Sequence, residues 1–214
     1  MTRVRVDIMI SLDGFATTTD QTPENPFGDD WPRLTEAYVA TRTFRTRVLG
    51  DTSGEGTTGV DDEFAVRYFE GIGAEIMGAG MFGLHSFPDD PDWKGWWGDE
   101  PPFGVPVFVL THTTRESIPM KGGTVFHFLS AAPDEALAEA VAVAAGQDVR
   151  IGGGASTVRE FLRAGLVDDL HVAISPIVLG RGIRLWDDLR GLENGARVAT
   201  VAAPSGVTHV TFSR

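Results

Sequence analysis

Cysteine is absent from the 214 residues, which rules out disulfides, thiolate metal sites and a cysteine nucleophile. Positive charge is scarce: 18 Lys and Arg stand against 30 Asp and Glu, a formal charge of −12. Binding a phosphate backbone needs clustered cations. The one cluster is "RTFRTR" at 42–47, so nucleic acid is not expected as a partner. Long apolar runs are missing too. "PVFVL" and "HVAISPIVL" fall well short of the roughly 20 residues a bilayer span needs, so no membrane association is expected. The N-terminal "MTRVRVDIMISLDG" alternates polar and apolar residues and lacks the features of a signal peptide. A cytoplasmic protein is the expectation, with the dispersed acidic surplus forming a solvated surface.

What is present is ordinary for a globular chain: 42% hydrophobic and 22% charged residues. The length suits one domain with a sizeable core, and no repeat or break in composition divides residues 1–214. "RVRVDIMISLDG" reads as a first, two-sided buried strand. Residues 17–33 are rich in Thr, Asp and Pro and read as a surface loop. "LTEAYVATRTFRTRV" has mixed helical spacing, "LGDTSGEGTTG" is a loop, and "VDDEFAVRYFEGIG" is a helix. Strands are expected at "AEIMGAG", "VPVFVLTH", "GGTVFHFLS", "DVRIGGG", "DDLHVAISPIVLG" and "GVTHVTFSR". "APDEALAEAVAVAAG" is a helix, capped by Ser130 or Asp134 and ended by Gly146, and "STVREFLRAGL" is another. Strands alternating with helices predict an α/β fold with a largely parallel sheet.

In such a fold, ligands bind beyond the carboxyl ends of the strands. Three ends stand out. In "VRIGGGAST" the glycines admit positive φ and remove the Cβ atoms that would keep a ligand off the backbone. The helix that follows turns its free N–H groups toward them. This suits a pyrophosphate, although a bare tight turn capped by Ser156 fits the same residues. "EIMGAGMFG" repeats the theme at Gly78 and Gly80, and "VFVLTHTTRE" ends in hydroxyls able to bond a ribose. His85, His112, His127, His171 and His209 show no metal-ligand spacing, so no metal is expected, and each reads as a surface or strand histidine. The Asp doublets at 29–30, 61–62, 89–90, 168–169 and 187–188 read as caps and solvated turns. Trp93, Trp96 and Trp97 suit a wall for a planar ligand, a loop packed by its own rings or an oligomer contact.

The order "MISLDGFA", "EIMGAGMFG", "VPVFVLTH", "VRIGGGASTVREFL", "GLVDDLHVAISPIVLGRGIRLWDDL" resembles the dihydrofolate reductase-like superfamily. Within it the chain is most similar to the C-terminal reductase domain of the bifunctional riboflavin-biosynthesis deaminase/reductase (RibD) and its stand-alone members. The resemblance runs from about residue 4 to 213 and leaves the insert at roughly 17–60 without a counterpart. It implies a three-layer α/β fold, a mostly parallel sheet with an antiparallel C-terminal strand, a homodimer, and NADPH as cofactor, with NADH possible.

Carried over by position, Ile151, Gly152, Gly153, Gly154, Ala155, Ser156 and Thr157 would hold the pyrophosphate, with a cis peptide among the three glycines. Gly78, Ala79, Gly80, Met81 and Phe82 would line a second turn, Thr111, His112 and Thr113 the adenosine ribose, and Ala16 the nicotinamide side. Ser11, Asp13, Leu179 and Gly180 would border the substrate. Asp62 and Asp13 are the carboxylates the resemblance offers for catalysis, with helix capping the other reading of Asp62. Ala79 and Gly80 stand where many members carry a base for the 2′-phosphate, for which His112, Arg115 or Arg33 are substitutes. The implied activity is hydride transfer to a small heterocyclic or carbonyl substrate, similar to 5-amino-6-(5-phosphoribosylamino)uracil reductase. The alternatives are a dihydrofolate reductase, a nucleotide-binding relative without turnover, or an enzyme using a flavin-type carrier.

Overall fold

The computed structural model describes residues 2–17, 19–22, 25, 27–83 and 92–214; His85 and the 89–90 doublet lie outside them. The first strand, β1, runs Val4–Ser11 and turns into the short β2, Phe15–Thr17. Two helices follow, α1 at Trp31–Val39 and α2 at Arg42–Arg47, so the loop expected through residue 33 gives way to helix at Trp31, where Pro32 suits a first turn. The break between them is Thr41, whose hydroxyl accepts the Phe44 N–H and so caps α2. Then come α3 at Val60–Phe69, β3 at Ile72–Gly78 and the one-turn α4 at Ala79–Phe82. The chain continues through β4 (Pro106–Leu110), β5 (Ile118–Pro119) and β6 (Val125–Leu129) to α5, Pro133–Val143. Neither Ser130 nor Asp134 caps α5. Instead the Ala132 N–H donates to the Glu135 carboxylate at 3.1 Å, and Pro133 opens the first turn.

The rest is β7 (Asp148–Gly153), α6 (Ala155–Arg163), β8 (Asp169–Ser175), β9 (Ile183–Arg184), β10 (Arg197–Ala202) and β11 (Thr208–Ser213). The strand expected through Gly180 stops at Ser175, because Pro176 has no N–H for the ladder. β10 carries no readable signal, since all its residues are exposed and no apolar alternation marks it.

Nine strands form one sheet in the order β10-β11-β8-β1-β7-β3-β4-β6-β5. The six strands from β8 to β6 are mutually parallel, while β11 pairs antiparallel with β8, β10 with β11 and β5 with β6. The two faces differ in chemistry. Val6, Ile10, Ile76 and Ile151 face the Ala136, Ala140, Val158 and Phe161 side chains of α5 and α6 in a wholly apolar core. On the opposite face Met9 and Ala173 pack with Ala37 of α1 and Val60 of α3. Among the described residues no helix is long and apolar enough to cross a membrane.

Candidate active site

Parallel strands end together, so β1, β3, β4, β7 and β8 deliver their carboxyl ends to one edge. There a cavity of about 1370 Å³ opens. It exceeds the roughly 300–1,000 Å³ usual for one small ligand, leaving room for two side by side. Gly78–Met81, Thr111, His112 and Gly152–Thr157 border it on one side. The roof comes from residues the sequence left without a role: Trp31, Leu34 and Tyr38 of α1, Phe44 of α2 and Leu49 just beyond.

The two glycine turns touch. A Cβ on Gly78 would stand 2.3 Å from Thr157 Oγ1, so only glycine lets β3 end against the first turn of α6. Gly153 has φ +133, which side chains rarely adopt, and its peptide to Gly154 is cis. At Gly80 and Gly154 a Cβ would meet nothing within 4 Å, and both glycines line the cavity. No side chain caps α6, so its first N–H groups are left to the cavity side. A backbone cradle with open space and a helix N-terminus fits a pyrophosphate.

Not every expected residue reaches this cradle. Ile151 is wholly buried in the α5/α6 core, and Phe82 packs wholly buried against Phe126 and Phe128. Thr111 lines the cavity and its hydroxyl accepts the Thr113 N–H, but Thr113 itself is not a wall residue. His112 lines the wall; Arg33 is held by Asp30 at 2.6 Å. Arg115 donates to the Trp93 carbonyl and stacks on Phe128. Trp93 and Trp96 donate to the Phe82 and Met81 carbonyls, while Trp96 and Trp97 face the cavity.

Ser11, Asp13, Leu179 and Gly180 also lie off the wall and form a clasp. The Ser11 hydroxyl and the Leu179 N–H donate to Asp13 Oδ1, and the Gly180 N–H donates to Oδ2 at 2.7 Å. The Ser11 hydroxyl, followed by these N–H groups, lowers the Asp13 carboxyl to about 2. Ala16 and Ile183, beside the clasp, do line the cavity. Asp62 accepts the Thr43 N–H at 2.8 Å, joining α3 to α2, and is not part of the wall.

Its neighbour Asp61 is part of it, and so are three residues that sequence spacing did not bring together. Asp7 Oδ1 lies 3.0 Å from His171 Nδ1, His171 Nε2 2.9 Å from His209 Nδ1, and His209 Nε2 3.0 Å from Asp61 Oδ1. Phe64 stacks on both rings with centroids 4.2 Å away. Further along the same sheet face, Arg150 pairs with the buried Glu75 and lies 3.6 Å over the Tyr68 ring. Burial pushes the Glu75 carboxyl up, only partly offset by Arg150, and also raises the Tyr68 and Tyr38 hydroxyls.

Comparison with known proteins agrees with this architecture. A crystal structure of a Shewanella sp. PV-4 protein, provisionally assigned to riboflavin biosynthesis, superposes with TM-score 0.61 at 22% identity, covering 100% of this chain and 99% of that one. Dihydrofolate reductase from Enterococcus faecalis, solved with NADP(H) and RAB-propyl, shares the fold at TM-score 0.51 and 11% identity, covering 99% and 96%. The uncharacterized protein YyaP of Bacillus subtilis is 37% identical over 67 residues, a match spanning 31% of this chain and only 36% of YyaP. The RibD C-terminal domain model matches residues 2–203. With that match over nearly its whole length, the chain belongs to the RibD C-terminal domain family.

Proposed function

We propose that the protein is an NADPH-dependent reductase that transfers hydride to a small heterocyclic or carbonyl substrate. The observation that carries this reading is the pair of touching glycine turns, open to the cavity at Gly80 and Gly154 and backed by the uncapped start of α6. The bound dinucleotide would supply the hydride. Gly152–Thr157 would hold its pyrophosphate, Thr111 and His112 would meet its adenosine end, and the aromatic roof of α1 and α2 would exclude water from the acceptor. Membership of this family and a neighbour solved with NADP(H) support the choice of cofactor. A homodimer is part of the same reading, and sedimentation showing only single chains would count against it.

Nicotinamide fluorescence during titration with NADPH and NADH tests the cofactor. Micromolar binding of NADPH is expected, and no binding of either at high micromolar concentration would sink the reading. Gly154→Val is the matched variant. Gly154 has φ −75 and empty space at its Cβ, so the fold should tolerate valine while the cradle fills. An affinity loss of tenfold or more is expected, and unchanged affinity would refute this placement of the pyrophosphate.

A further inference from the structure

The line Asp7–His171–His209–Asp61 contains three hydrogen bonds, and three hydrogen bonds need three protons. An ionised carboxylate only accepts, and a neutral imidazole carries one N–H and one bare nitrogen. Two carboxylates and two neutral rings therefore bring two protons to three gaps. One gap would then set two lone pairs face to face at 2.9–3.0 Å. Among the described residues no group of three or more His, Asp or Glu side chains is placed to hold a metal ion. We propose that these four residues form a proton relay that holds this third proton and hands it to the acceptor of the reductase reaction.

The rest of the site favours a charge on the ring pair. Phe64 lies nearly parallel to both imidazoles, at 12° and 5°, and presents its negative face to them. Asp61 opens α3, where the helix dipole favours a carboxylate. Burial is the largest single influence on the Asp7 carboxyl and raises it, but the His171 hydrogen bond and the charges of His171, Arg5 and Arg150 together leave Asp7 below its ordinary value. Burial pushes the His209 imidazole down, partly offset by its bond to Asp61. The other charged or titratable groups packed around the line are Arg5 of β1, Arg150 of β7, Glu75 of β3, Tyr38 of α1, and Tyr68 and Arg67 of α3.

Direction follows from register. Val6 pairs with Ile151, so Asp7 stands level with Gly152, the first glycine of the cradle. Asp7 is the delivering end and Asp61 the end reloaded from water. As the acceptor carbon gains the hydride, the π pair of its C=N or C=O moves to the heteroatom. That atom would take the proton that His171 Nδ1–H passes across to Asp7, leaving the ring pair with two protons until one from water, entering at Asp61, restores the third; the bound dinucleotide would supply only the hydride.

This inference rests on the reductase reading, and its test separates the two. Nitrogen-15 NMR of histidine-labelled protein counts ring protons without any substrate. Three ring N–H protons on His171 and His209 at pH 7, with the third lost in one step shared by both rings at higher pH, are expected. That step should come at lower pH in Asp61→Asn. Two N–H protons and independent titration would overturn the relay. With NADPH and the fastest acceptor of a pterin, pyrimidine and quinone screen, Asp61→Asn and His209→Gln should lower kcat by about 10²-fold or more. NADPH affinity should stay within about twofold, and the solvent isotope effect should grow, as for a general acid. A kcat within threefold of wild type, or affinity lost along with kcat, would overturn the role as acid. Failure of the wild-type protein to bind NADPH would sink the reductase reading whatever the proton count.

Discussion

At Asp13 a carboxylate that sequence offers for catalysis is spent on the chain itself. Its oxygens tie Ser11 to the backbone of Leu179 and Gly180, so Asp13→Ala should lower stability by about 1–2 kcal/mol, read by urea denaturation at pH 7. The pH dependence follows from a carboxyl lowered from 3.8 to about 2. The clasp's contribution is whole above the ordinary value and disappears as pH falls through about 2, so wild type and variant should converge in acid. A gap that stays constant down to pH 2 would contradict the clasp. Asp61 and Asp62 show why such roles resist reading from sequence. Adjacent helical residues differ by about 100° in direction, and the choice between cavity and α2 depends on how α3 is rotated on the sheet. His171 and His209 are 38 residues apart, and only the pairing of β11 with β8 brings their rings together.

Elements were easier to read, because glycine's freedom is a local property. The strand–glycine–helix pattern at 75–83 and at 149–162 located both turns, while their contact with each other depends on the parallel pairing of β3 with β7. That contact makes a specific prediction. Gly78→Ala sets a methyl 2.3 Å from Thr157 Oγ1 and should cost about 1–3 kcal/mol through overpacking. Thr157→Ala removes the obstacle, so the double variant should be more stable than the sum of the singles implies, with coupling on the order of 1 kcal/mol. Simple additivity would show that the turns do not bear on each other. β10 shows the opposite case: an exposed edge strand has no buried face to impose alternation on its sequence.

Across the whole molecule the sheet separates two kinds of chemistry, and the apolar half was the legible one. The strand cores alternate toward α5 and α6 much as their hydrophobic pattern requires. The other face sets Glu75, Arg150, Asp7, His171 and His209 on five adjacent strands, a row assembled from residues up to 202 apart in the chain. A lone Arg or His within a strand gives no sign of its partner, so this row was invisible until the strand order was known. Its Glu75–Arg150 pair is buried to within 2% of full. Removing one member strands the other charge in the interior, so Glu75→Met should lose about 3–5 kcal/mol. That is a large share of the 5–15 kcal/mol typical of a folded domain. Glu75→Met with Arg150→Met, which leaves no uncompensated charge, should recover most of that loss in urea denaturation. The same double variant removes Arg150 from beside Asp7 and should therefore shift the histidine titration even where stability returns. Recovered stability with an unshifted titration would separate the ion pair from the relay; a double variant as unstable as Glu75→Met alone would show that packing, not charge, holds this face together.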